Sequence, residues 1–181
     1  MVEAHPFRSA IVRTDQVASA GLAGSVAATD NDRTMLAALL NVPRVEKFEA
    51  SYLMTPSARG RFTATGRLCA VLLLECGVTL EPVEQRIERE FSVEFWPPEQ
   101  LENATDLDPD LDDPDIEEPA PIEDRKLDVG RYLVELTATL IEPFPRSPTA
   151  ELERSQSAPT SAEHTASPFA KLAALKREGD T

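Results

Sequence analysis

Hydrophobic and polar residues alternate along the middle of the chain. Between Val45 and Met54, Phe48, Ala50, Tyr52 and Met54 interleave with Lys47, Glu49 and Ser51. After a Pro56–Gly60 turn, Phe62, Ala64, Leu68, Ala70, Leu72 and Leu74 take one parity and Arg61, Thr63, Thr65 and Arg67 the other. Cys69, Val71 and Leu73 then make the second parity apolar too. Period two is the mark of a strand, and the run of continuous apolarity predicts that its second half is covered on both faces. Glu75 to Pro82 reverses the chain. Val83, Ile87, Phe91, Val93 and Phe95 then alternate with Glu84, Arg86, Glu88, Glu90, Ser92 and Glu94, a strand with one face in water. Three strands on short connections predict an antiparallel meander.

Flanking segments change period. Phe7 to Val12 reads as a short edge strand and Gly24 to Ala28 as another. Asp30 reads as the N-cap of a helix whose apolar stripe is Met35, Leu36, Leu39 and Leu40, stopped by Asn41 and Pro43. Asp128 reads as a second N-cap, followed by Val129, Tyr132, Leu133, Leu136 and Leu140 at three- and four-residue steps, with Pro143 and Pro145 ending that helix. Ser167-Pro168 opens a third, short helix over 167–177, with Phe169, Leu172 and Leu175 on one side. The fold class expected is α+β: a meander sheet packed by two short helices, in one domain over 1–146. A Ser/Thr/Ala/Pro linker over 147–166 leads to the closing helix.

Charge sharpens this picture. The 181 residues hold 18 Lys plus Arg against 32 Asp plus Glu, a formal net charge of −14. Twelve of those acids, and no base, fall between Glu99 and Asp124. The rest of the chain is nearly neutral. Residues 99–121 are mostly Asp, Glu and Pro and cannot bury enough to offset their ordering, so a mobile acidic loop is expected there. A chain so charged gains little from phosphate contacts, which argues against non-specific nucleic-acid binding. Two cysteines are too few for a disulfide scaffold and fit a reducing cytoplasm.

Candidate chemistry is sparse. The only histidines, His5 and His164, lie in segments without periodic structure, so no scaffold holds a Ser–His or Cys–His pair. Asp106, Asp108, Asp110 and Glu117 fall at positions one, three, five and twelve of a calcium loop, but position six is Leu111 where the turn needs Gly. The expectation is therefore no metal and no cofactor. A solvated acidic run including Asp106, Asp108, Asp110, Asp112, Asp113 and Asp115 can instead mimic a polyanion and attract a basic protein. Arg59, Arg61 and Arg67 are the clustered bases of the body. They read as a solvated face paired with Glu88 or Glu90, or as an RNA or protein contact. Cys69 reads as a core thiol, and Cys76, beside a turn, as the more exposed one. The terminal helix needs a surface for Phe169, Leu172 and Leu175, in its own domain or on a partner.

Three stretches carry a family resemblance. They are Leu68–Val83, with Cys76-Gly77-Val78-Thr79-Leu80-Glu81-Pro82-Val83; Asp113–Pro148, with its acidic Pro-rich run, Leu127-Asp128, amphipathic helix and Pro143-Phe144-Pro145; and Ser167-Pro168-Phe169-Ala170-Lys171-Leu172-Ala173-Ala174-Leu175-Lys176. In this order the chain resembles the YceD family, named for large ribosomal RNA subunit accumulation. The resemblance implies a cytoplasmic bacterial protein needed for normal levels of large-subunit ribosomal RNA. Many relatives carry Cys-x-x-Cys at the turn; here Thr79 follows Cys76 at the second position, so no thiol-pair or metal role carries over, and no catalytic residue transfers. The expected function is a non-enzymatic ribosome-biogenesis factor whose acidic loop and terminal helix contact a basic ribosomal protein or assembly factor. Two rivals are direct RNA binding through Arg59, Arg61 and Arg67, and a metal-dependent nuclease built on carboxylates.

Overall fold

A computed structural model describes residues 7, 10–101, 118–148 and 150. The account below concerns the compact unit that ends at Ala150. Its frame is a five-stranded sheet in the order β2-β3-β4-β5-β6: β2 is Leu22–Ala27, β3 Arg44–Pro56, β4 Phe62–Glu75, β5 Pro82–Trp96 and β6 Ala120–Pro121. The first three pairings are antiparallel; β6 joins β5 in parallel at Phe95 and Trp96. Two further short strands, β1 (Ile11–Arg13) and β7 (Lys126–Asp128), form a separate antiparallel ladder. The helices are α1 (Asp30–Leu39), a single turn α2 (Pro98–Leu101) and α3 (Val129–Leu140). The class is α+β, and the meander β3-β4-β5 is the one that the alternation predicts.

Burial follows parity along the sheet. Phe48, Ala50, Tyr52 and Met54 of β3, Leu68, Ala70, Leu72 and Leu74 of β4, and Ile87, Phe91 and Val93 of β5 are all buried on one face. Leu36 of α1 and Val129, Leu133, Val134 and Leu136 of α3 complete that core. Each buried Val, Leu, Ile, Phe or Met among them contributes about 1.5–3 kcal/mol relative to exposure. Phe7 stacks on Phe48 with ring centroids 5.0 Å apart, and Phe91 meets Tyr132 of α3 at 5.6 Å.

One cross-strand row has a pattern of its own. Register places Gly24, Tyr52, Gly66 and Phe91 side by side across four strands. A Cβ at Gly24 would lie 2.3 Å from the Tyr52 ring, and one at Gly66 would lie 2.8 Å from the Phe91 ring and 2.2 Å from the Ser51 carbonyl oxygen. Each aromatic ring thus leans over the glycine of the preceding strand, and only glycine leaves room for it.

Several expectations are corrected. The opposite face of β4 is not covered by any described element: Cys69, Val71 and Leu73 are half-buried. Their cross-strand neighbours explain why this is tolerated. Val71 sits between Lys47 and Arg86, and Leu73 between Arg44 and Glu84, long side chains whose stems shield apolar surface while the charges stay wet. The first strand is Ile11–Arg13 rather than Phe7–Val12, because Phe7 adopts φ 70 in a turn closed by Ala10 N–H donating to its carbonyl. Thr29, not Asp30, caps α1: its hydroxyl accepts from Asp32 N–H while the Asp32 carboxylate accepts from Thr29 N–H, a reciprocal pair that satisfies two donors. Of the predicted α1 stripe only Leu36 is buried, and Leu39 is largely exposed. Both ends of the predicted 99–121 loop are ordered, as α2 and β6.

Candidate interaction surfaces

Arg61 enters β4 at the end of the open face. Its guanidinium lies 3.3 Å from the centre of the Trp96 ring, and its Nε donates to Gln100 Oε1 at 2.8 Å. Trp96 is buried on the parity opposite the core, beneath the Arg61 guanidinium, and its indole N–H donates to Glu94. Gln100 also donates to the Arg59 carbonyl at 2.8 Å, which fixes Arg59 at φ 61 in the turn before β4. Arg61 is therefore a structural clamp between the sheet and α2.

Arg67 stands six residues further along β4, roughly 20 Å at the rise of an extended strand, and is paired with Glu88 of β5. The three arginines are close in sequence but do not form one basic patch. Arg61 is stacked, Arg67 is neutralised, and the exposed Arg59 has no ion pair among the described residues. The pairing with Glu88 is one that the alternation suggested; the stacking on Trp96 was not legible, because nothing in the sequence brings Arg61 to a tryptophan so far along the chain.

The acidic run returns to the fold at a cavity of about 410 Å³ between β6 and the start of α3. Glu118, Glu123 and Asp124, the last acids of the run, line it together with Asp128 and Glu135, against only Lys126 and Arg131. Arg131 is held by Glu135 at 2.9 Å and Glu123 at 3.7 Å. The rim keeps an excess of carboxylate. Asp106, Asp108, Asp110, Asp112, Asp113 and Asp115 lie outside the described residues, as do Phe169, Leu172 and Leu175 and the closing helix.

The cysteines exchange the environments that the sequence suggested. Cys76 is fully buried and Cys69 is half-buried on the open face. The Cys76 thiol accepts from the backbone N–H of Ser147 at 3.3 Å and of Thr79 at 3.4 Å. Gly77 N–H donates to the Pro145 carbonyl at 3.0 Å, so the β4–β5 turn clasps the chain that leaves α3. These donors stabilise the thiolate, first Ser147 and then the Thr79 and Val78 groups, and outweigh burial; the pKa falls from 9.0 to about 6. The sequence shows a cysteine beside a turn but not the strand of chain 71 residues later that closes over it.

Residues 64–176 match the family model for the large ribosomal RNA subunit accumulation protein YceD. The chain belongs to the YceD family. Comparison with curated proteins and with solved structures gave no match. The YceD match covers β4 from Ala64 onward, β5, the acidic run and α3, together with the Cys76 clasp, while β1, β2, α1 and β3 lie before it. Among the described residues no helix is long and apolar enough to cross a membrane, and no group of three or more His, Cys, Asp or Glu side chains is placed to hold a metal ion.

Proposed function

We propose that this chain acts in the cytoplasm as a non-enzymatic ribosome-biogenesis factor, supporting the accumulation of large-subunit ribosomal RNA through contact with a basic protein. The family supports the biogenesis role. The disposition of the arginines carries the choice of protein over RNA: Arg61 is spent on Trp96 and Gln100 and Arg67 on Glu88, about 20 Å apart. Phosphate binding needs several free cations along one track. The twelve acids between Glu99 and Asp124 favour instead a cationic partner, a ribosomal protein or an assembly factor. The carboxylate-rich cavity beside Glu118 suits a lysine or arginine side chain of that partner.

Two measurements test this. In cells lacking the gene, the ratio of large- to small-subunit ribosomal RNA is expected to fall and to recover with the intact gene. Purified protein, mixed at physiological salt with separated large-subunit proteins and with naked large-subunit RNA, is expected to capture a basic protein and to leave the RNA free and uncut. Tight binding to RNA alone, lost on charge reversal of Arg59, Arg61 and Arg67, would overturn the protein-contact reading. Cleavage of the RNA with magnesium or manganese present would overturn the non-enzymatic one.

A further inference from the structure

The two edges of the sheet are built differently. Among the described residues β5 pairs with β6 only at Phe95 and Trp96, and most of its outer edge has no strand partner. It is guarded by Pro82 and by Glu84, Arg86, Glu88, Arg89, Glu90 and Glu94, the charges and proline that blunt an edge against other chains. The opposite edge, β2, reads Leu-Ala-Gly-Ser-Val-Ala, with no charge and no proline, and pairs with β3 in an unbroken register.

The phase of that register shows which groups are free. Ala28 N–H donates to the Phe48 carbonyl at 2.9 Å, the bond of a hydrogen-bonded antiparallel pair. Such pairs recur at every second residue, so Leu22, Gly24 and Val26 turn their backbone groups to Met54, Tyr52 and Ala50. Ala23, Ser25 and Ala27 therefore point N–H and C=O out of the sheet. Among the described residues nothing bonds to these six groups. The three side chains are small and exposed.

We infer that β2 pairs antiparallel with β2 of a second copy of this chain. A two-fold axis through Ser25 sets Ser25 against its counterpart and Ala23 against Ala27, and the six outward groups of each strand are then satisfied by six hydrogen bonds. The strand brings no like charges together and raises no large side chain at the joint. Its lack of charge also gives a basic partner strand no advantage over a second β2. Pairing joins two five-stranded sheets into one, and small side chains on a short strand bury little area. The dimer is thus expected to be concentration-dependent, with a micromolar or weaker dissociation constant.

Sedimentation equilibrium of the full chain, from micromolar to near-millimolar concentration, is expected to show the mass rising from one chain to two. Ser25→Pro removes an outward donor without touching a β2–β3 bond and is expected to hold the mass at one chain, with its melting transition confirming that it folds. Mild oxidation is expected to crosslink Ser25→Cys with its own counterpart, whereas Ala23→Cys, which faces Ala27, and the wild-type chain stay uncrosslinked. A single-chain mass throughout, a dimer that survives Ser25→Pro, or crosslinking of Ala23→Cys in place of Ser25→Cys would overturn the inference.

Discussion

At the scale of single residues, Cys76 is the side chain whose surroundings make the clearest demand. Amide donors from Ser147 and from the turn after β4 favour the thiolate. A group whose folded pKa is depressed contributes stability that is complete above its unfolded pKa and is lost as pH falls through the folded one. For Cys76 that window runs from about 9 down to about 6. Thiolate absorbance of folded protein is expected to titrate near pH 6. Stability measured by denaturant should decline from pH 9 to 6 in the wild type and less in Cys76→Ser; identical slopes would show that the thiol is not held as the anion. Arg61 illustrates the opposite lesson, a charge whose place is structural. Neither environment was legible in the sequence, because each is made by residues distant along the chain: Ser147 for the thiol, and Trp96 and Gln100 for the guanidinium.

At the scale of elements, the alternating row of glycine and aromatic residues ties β2 to β5. Gly66→Ala drives a methyl group into the Ser51 carbonyl as well as the Phe91 ring. Overpacking a fixed backbone places the loss near the upper end of about 1–3 kcal/mol, read as a lower denaturation midpoint at an unchanged slope. Gly24→Ala meets only the far end of the Tyr52 side chain and no backbone atom, so a smaller loss is expected. The strands themselves were legible, since period two survives wherever one face is buried, from Phe48 through Phe95. The helix carrying Leu133 and its Asp128 cap were legible for the same reason at period 3.6. What failed was local competition and context. Thr29 and Asp30 are both good caps, and only the reciprocal bond with Asp32 decides between them. Val71 and Leu73 look like a covered face because the sequence does not show that charged neighbours on β3 and β5 shield them.

At the scale of the molecule, charge is divided between a nearly neutral fold and an acidic run that re-enters it at Glu118. If a basic protein is the partner, its association rate should fall about tenfold or more between low and physiological salt, since steering by exposed charge is screened within a Debye length. Glu118→Gln with Glu123→Gln should flatten that dependence, and an unchanged salt slope would remove the cavity from the contact. The arrangement of the first and last strands has a consequence of another kind. β1 pairs Ile11 with Asp128 and Arg13 with Lys126, so this early strand has no partner until more than a hundred further residues have been made. At about 5–20 residues per second that wait is on the order of ten seconds. The β2–β5 sheet has the chance to form on the nascent chain well before then, leaving the early strand and Phe7 to close over the core only as synthesis passes α3. This chain is thus completed in two instalments, and one stalled inside the acidic run would present strands β2 to β5 with an uncovered core.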